Sequence, residues 1–384
     1  MEMQFPVILD GATGTELQKR GFTGDMSAEQ WVLEHPESIL EIQRKYVASG
    51  SNVLYAPTFG GNRQKLEERG IFNRTEEMNK ALAQLSKQAA DGKVWVAGDI
   101  APTGRFLAPL GDASFEELVD IYTEQTAGLE QAGVDLYVIE TMMTLTDARA
   151  AVLAIRSMSK KPILVSFTCD ESGKILSGTD VVAALSVMEG MGVSAFGLNC
   201  SAGPEQMLPQ LQRLHKYVPL IAKPNAGMPE IVNGEAVYNC PPEEFVALVP
   251  EMLKAGVALF GGCCGTDAEF IKKMRESMDA HAGKLDYSGI EKADTDSMAC
   301  TNRETVIPDI ESLGDPIPAD ENFFDEASMA SGDFVYVSLP DEIAADTFIE
   351  NAPMLTLPCV VTGDPTAIAK AKRYYNGKLL VVEE

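Results

Sequence analysis

Val257-Ala258-Leu259-Phe260-Gly261-Gly262-Cys263-Cys264-Gly265-Thr266 is an apolar run that breaks into glycines around two adjacent thiols. A short apolar run ending in Gly-Gly reads as a buried strand opening onto a loop. Glycine lets such a loop turn tightly and approach a ligand closely. Working outward, the same pattern recurs along the chain: a short β-rich run ends in Gly, Asn, Thr, Asp or Glu, and a helical stretch follows. The runs are 7–11, 52–57, 94–100, 135–140, 163–168, 195–199, 220–223 and 257–260. The stretches with helical periodicity are 36–49, 75–90, 114–132, 145–157, 179–191, 204–217, 242–255 and 267–281. Ser114 before Glu116 and Glu117, and Asp267 before Glu269, are start signals; Gly133 and Gly256 are stop signals. Strands alternating with helices imply a parallel sheet. Eight units in about 280 residues imply an α/β fold of the (β/α)8 TIM-barrel class, for which about 250 residues is typical. An open doubly wound sheet is the runner-up.

The chain has 384 residues, enough for a large domain with a smaller one. Residues 1–283 are read as the barrel, 284–332 as an acidic linker rich in Asp, Glu, Ser and Pro, and 333–384 as a small βαβαβ appendage. Asp and Glu number 57 against 31 Lys and Arg, a formal net charge of −26. Such a chain repels phosphate backbones and anionic membranes, so neither nucleic acid nor a membrane is an expected partner. No run approaches the roughly 18 apolar residues of a membrane span. Met1 to Asp10 has no basic-then-apolar leader, which leads to the expectation of a cytoplasmic protein. Seven cysteines in a reducing compartment favour metal-binding or catalytic thiols over a disulfide framework.

In (β/α)8 barrels the reactive groups stand at the C-terminal ends of the strands. Cys200 follows the sixth run and Cys263 and Cys264 follow the eighth, so their loops converge over one mouth. Three thiolates with a fourth position open is a pattern of catalytic zinc. Small buried packing cysteines and a strained vicinal disulfide are the rival readings. The three histidines, His35, His215 and His281, all lie on or beside helices rather than at strand ends. A mouth without imidazole argues against hydrolysis by a water-activating metal. Thiolate-rich zinc suits a soft ligand, and a substrate thiol bound there loses its proton while staying nucleophilic, so alkylation at sulfur is the natural reaction. Asp10 and Glu140, from the first and fourth runs, suit a substrate ammonium; the alternatives are a helix cap and a barrel-core ion pair. The turn Gly11-Ala12-Thr13-Gly14 offers N–H groups to a carboxylate.

Leu9-Asp10-Gly11-Ala12-Thr13-Gly14-Thr15-Glu16, Gly197-Leu198-Asn199-Cys200-Ser201 and Gly261-Gly262-Cys263-Cys264-Gly265-Thr266 resemble the zinc-dependent homocysteine S-methyltransferases. The resemblance covers residues 5–282 and is closest to the N-terminal homocysteine-binding module of cobalamin-dependent methionine synthases. It implies a (β/α)8 barrel with zinc on Cys200, Cys263 and Cys264 and a homocysteine thiolate as the next ligand. It implies that Asp10 and Glu140 hold the amino group, that the backbone at Gly11 and Ala12 holds the carboxylate, and that Thr58 and Asn225 are nearby wall residues. Homocysteine comes from the resemblance alone; spacing yields only a thiol-binding zinc site. Residues 357–382 are similar to a segment of the folate barrel of those synthases, too short for a pterin pocket. The methyl donor is therefore expected to be a methylated corrinoid on a partner protein, its cobalamin carried there, or a small sulfonium such as S-methylmethionine or S-adenosylmethionine. The alternatives are the same chemistry on another thiol or selenol, and a non-catalytic zinc-binding subunit of a corrinoid methyltransferase complex.

Overall fold

A computed structural model describes residues 5–107, 110–214, 219–232, 235–281 and 295–383. His215, the end of the expected helix at 215–217 and the start of the expected linker at 284–294 lie outside the described residues. Contacts divide the chain into two units, Met1–Leu176 with Val193–Glu291, and Ser177–Gly192 with Lys292–Glu384.

The first unit carries β1 (Val7–Ile8), β2 (Val53–Tyr55), β3 (Trp95–Ile100), β4 (Leu136–Met142), β5 (Ile163–Phe167), β6 (Ala195–Asn199) and β7 (Leu220–Lys223). A hairpin follows, β8 (Pro229–Val232) and β9 (Glu235–Tyr238), and then β10 (Val257–Phe260). Eight of these strands form one parallel sheet in the order β1-β10-β7-β6-β5-β4-β3-β2. Apart from β1 and β10, the first and last barrel strands, each neighbour in that order is also the next barrel strand in sequence, so the sheet never reverses direction of growth. That excludes the doubly wound alternative, whose strand order switches.

Closure falls between β1 and β2, and the sequence supplies it with few ladder bonds. Asn52 N donates to Ile8 O at 2.6 Å, and Ile8 N donates to Asn52 Oδ1 at 2.9 Å. Ser51 Oγ donates to Leu9 O at 3.1 Å, and Tyr55 N donates to Asp10 Oδ2 at 2.7 Å. Side chains thus take the place of a longer β1 ladder. Inside, Val7, Val53, Ala97, Val138, Leu164 and Leu259 belong to one buried apolar cluster. These strands are buried on both faces, which is why they read as continuous apolar runs.

Local signals explain the boundaries. Ser114 caps its helix by accepting from Glu117 N at 3.1 Å. Gly133 ends that helix in the left-handed conformation at φ 73°. The expected single helix over 242–255 is two, Pro242–Val246 and Val249–Lys254. Pro250 stands in the first turn of the second, where its missing N–H is harmless; in mid-helix it would break the ladder.

In the second unit β11 (Ala299–Cys300) pairs antiparallel with β12 (Thr305–Val306). A parallel sheet runs β13-β14-β15-β16, from Ile317–Pro318, Val335–Leu339, Cys359–Gly363 and Leu380–Val381. The reading of 333–384 anticipates the last three of these strands; β13 joins them from the stretch read as linker, by pairing Ile317 with Val337. Helix Val181–Gly190, which lies in sequence between β5 and β6, also clusters with this unit. Its core is built around Phe323, Phe348, Val337, Val361 and Tyr375. No helix among the described residues is long and apolar enough to cross a membrane.

Candidate metal and substrate site

Cys200, Cys263 and Cys264 reach one point. Their sulfur atoms all lie within 4.8 Å of one another, and Cys200 Sγ is 3.8 Å from Cys264 Sγ. Cys200 turns off the end of β6 at φ 59°, a left-handed conformation uncommon for a residue with a side chain. The loop after β10 is fixed by backbone: Gly261 N donates to Ala222 O at 3.0 Å, and Cys263 N to Pro224 O at 2.7 Å. Asn225 ties the two cysteine loops together. Its Nδ2 donates to Cys200 O at 3.0 Å, and its Oδ1 accepts from Cys264 N at 3.1 Å. Gly265 adopts φ 82°, and a Cβ there would strike Tyr238 of β9. The glycines are therefore what lets this loop pack against the hairpin.

The three thiols do not share one chemistry. Hydrogen bonds from Cys200 and Cys263, with a further one from the Tyr238 hydroxyl, hold Cys264 well below the usual thiol range despite its burial. Contacts with the other two sulfurs push Cys263 far up. One sulfur ionises and its neighbours resist, as expected of three close thiols short of positive charge. A soft divalent cation on three thiolates supplies that charge, so the donor set fits zinc.

The sulfurs open on a cavity of about 500 Å³, the size of a small-molecule site. Gly11, Ala12, Asp99, Glu140 and Lys223 line it near the cysteines; Phe22, Met26 and Phe59 line it elsewhere. Of the expected substrate residues, Gly11, Ala12 and Glu140 thus stand on the wall. Ala12 N already donates to Thr266 Oγ1 at 3.2 Å, so it is not free for a carboxylate as the loop stands. Thr58 is fully buried and spends its hydroxyl on Asp99 O at 2.7 Å, a β2–β3 tie rather than a cavity contact. Asn225 serves the cysteine loops, as above. Asp10 is 1% exposed and does not line the cavity; it faces Tyr55 N and Lys223.

Lys223, at the end of β7, is the residue that sequence reasoning passed over. Its Nζ lies 3.2 Å from Asp10 Oδ1 and 3.8 Å from Glu140 Oε2, and 4.0 Å from the centroid of the Tyr55 ring. Burial alone would strip its proton, but Glu140 and Asp10 hold it charged, well above the usual lysine range. Burial raises Asp10 and Glu140, with Lys223 pulling both back. Burial and the Glu140 charge push Asp99 far up. A lysine closing the apolar run Leu220-Ile221-Ala222 was the available signal. Asn199 was the other omission: it accepts from Thr141 N at 2.8 Å and Ser166 Oγ at 2.9 Å, locking the ends of β4, β5 and β6 together. Away from the mouth, His35 stacks on Trp31, and His281 Nδ1 contacts Ser277 O at 2.7 Å.

Comparison with known proteins gives these features a setting. The profile of the homocysteine S-methyltransferase family matches residues 7–278. Methionine synthase from Mycobacterium leprae is 32% identical over 285 residues, covering 69% of this chain and 24% of that protein. The Mycobacterium tuberculosis methionine synthase matches with the same identity and coverage. The chain thus spans about a quarter of the length of these curated relatives. Among solved structures, the metallated form of the homocysteine methyltransferase MmuM from Escherichia coli superposes with a TM-score of 0.61 and 25% identity, covering 71% of this chain and 96% of that one. With most of the barrel and all three cysteines inside the matched span, the chain belongs to the homocysteine S-methyltransferase family.

Proposed function

We propose that this protein methylates the sulfur of homocysteine to give methionine, with zinc held by Cys200, Cys263 and Cys264. The observation that carries the reading is the convergence of three sulfurs on a cavity that also presents Glu140. Zinc bound there would take the substrate sulfur and keep it as the thiolate at neutral pH. The chain's own groups do the rest. Glu140 receives the substrate ammonium, and the Gly11 turn faces the carboxylate end. Asn225 and Asn199 hold the loops that carry the cysteines and Glu140. The apolar wall of Phe22, Met26 and Phe59 excludes water from the approach of the donor.

In the transfer itself a sulfur–carbon bond forms as the bond between the methyl and its carrier breaks. The carrier keeps that electron pair: a methylcorrinoid leaves as the reduced corrinoid, a sulfonium as a neutral thioether. We infer that the donor is a methylcorrinoid on a partner protein or a small sulfonium. In support, both carriers leave without taking up a proton, and the described lining of the cavity holds no histidine to supply one. We place the chemistry in residues 1–283 and the protein in the cytoplasm.

The test is turnover of the full-length, zinc-loaded protein with homocysteine and four donors: methylcobalamin, S-methylmethionine, S-adenosylmethionine and methyltetrahydrofolate. Methionine from at least one of the first three, and none from the folate, is the expected result. Methionine from none of them, or undiminished turnover after zinc is stripped, overturns the proposal.

A further inference from the structure

The pocket expected to hold the substrate's amine already holds an amine. Lys223 Nζ sits between Asp10 and Glu140, the two carboxylates that the family resemblance assigns to the substrate ammonium. The three side chains are almost wholly buried: Lys223 is 4% exposed, Asp10 1% and Glu140 7%. The two ion pairs are unequal. Lys223 is closer to Asp10, at 3.2 Å, than to Glu140, at 3.8 Å. Asp10 is also bound on its other oxygen by Tyr55 N and does not line the cavity. Glu140 does line it, and its further polar contact is a long one, from Asn199 Nδ2 at 3.4 Å.

Charge counting gives the consequence. Two carboxylates, Asp10 and Glu140, stand against the one ammonium of Lys223. One buried negative charge is left over, and buried charges require partners. The partner missing from the set is a single cation reaching the wall at Glu140.

We propose that Lys223 is a specificity-determining residue of this pocket: it takes Asp10 permanently and leaves Glu140 as the sole carboxylate for the amino group of the thiol substrate. The inference rests on the homocysteine reading above and sharpens it. The amine is recognised by one carboxylate, and the pocket's capacity is set to one incoming positive charge. Lys223 stays in place when substrate binds, because Asp10 on one side and the Tyr55 ring face on the other hold it independently of Glu140.

The experiment compares two thiols in the zinc-loaded full-length protein: homocysteine and 4-mercaptobutanoate, the same thiol acid without the amine. Binding of each is measured by calorimetry for wild type, Glu140→Gln, Lys223→Met, Lys223→Gln and the double variant Lys223→Met/Asp10→Asn. Melting temperatures are recorded alongside. In Glu140→Gln the preference for the amino thiol should collapse to near unity. Lys223→Met and Lys223→Gln free Asp10, so an ammonium can engage both carboxylates and the preference should rise about tenfold or more. Removing Asp10 as well should return it to within about twofold of wild type. An unchanged preference in both Lys223 variants, with a lowered melting temperature, reduces Lys223 to a structural ion pair and overturns the proposal. So does a Glu140→Gln variant that retains most of the preference. If wild type binds neither thiol, the homocysteine reading fails and the proposal with it. The melting-temperature cycle between Lys223→Met and the double variant would then still report the Lys223–Asp10 pair by itself.

Discussion

Two corners of the same barrel mouth are built in opposite ways. The sulfur corner is positioned by backbone: loops after β6, β7 and β10 exchange main-chain hydrogen bonds, and Asn225 bonds only main-chain atoms. Its three sulfurs crowd together, so they shift one another's ionisation in opposite directions, Cys264 down and Cys263 up. The carboxylate corner is positioned by side chains across the barrel, and Lys223 stands between its two carboxylates from within. On the proposed function, zinc completes the first corner and the substrate ammonium the second. Under the proposed function, the difference separates the task of activating a sulfur from the task of recognising the molecule that carries it.

The contrast can be broken at its strongest point first. Replacing Cys264 by Ala leaves two sulfurs, too few for the metal, and should lower methyl transfer more than about a thousandfold with loss of bound zinc. Metal content by mass spectrometry beside turnover checks both. Zinc retained at full stoichiometry would mean that the ligand set lies elsewhere.

At the other corner, Asp10→Asn keeps an acceptor for Tyr55 N but removes the charge nearest Lys223. Breaking a buried pair from one side costs about 3 kcal/mol, less here because Glu140 remains. Chemical denaturation should show this loss of stability with zinc affinity unchanged; a fall in zinc affinity would show that the two corners are coupled.

Asn225→Ala should act the opposite way. Loss of an outer partner of metal ligands typically lowers metal affinity about 10- to 100-fold. A chelator competition assay reads it, and the melting temperature of the metal-free protein should move little.

The smallest effect is a pH slope at Asp99. Its folded value is raised above its ordinary 3.8, so the native state binds the proton more tightly than the unfolded chain. Stability from this group is therefore greatest at low pH and declines as pH rises from about 4 toward the folded value, by at most about 1.4 kcal/mol per pH unit. Asp99→Asn lacks that slope. Its melting temperature should gain on wild type between pH 5 and pH 7, and a parallel pair of curves would place Asp99 in its ionised form throughout.

Part of this was legible in the residues. Three strands, 195–199, 220–223 and 257–260, match the structure residue for residue because each is a short apolar run cut off by Cys, Pro or Gly. β1 is only Val7–Ile8, shorter than the expected 7–11: Leu9 N still donates to Phe260 O at 2.6 Å, but from Asp10 onward the chain bonds to side chains and loops instead of a ladder. The β8–β9 hairpin escaped notice. Pro229 is a loop signal, and neither strand has a strong apolar alternation.

By itself the sequence determined the periodicity, hence the number of βα units, and the placement of three cysteines at strand ends. These are local properties, set by propensity and by the alternation of apolar runs with glycine and proline. Only the tertiary structure decided how the mouth is charged. Asp10 could have capped a helix, Glu140 could have faced any of several neighbours, and Lys223 was marked only by closing an apolar run, which names no partner. Their pairing depends on strands far apart in the chain being rolled into one barrel, where desolvation forces buried charges to find one another.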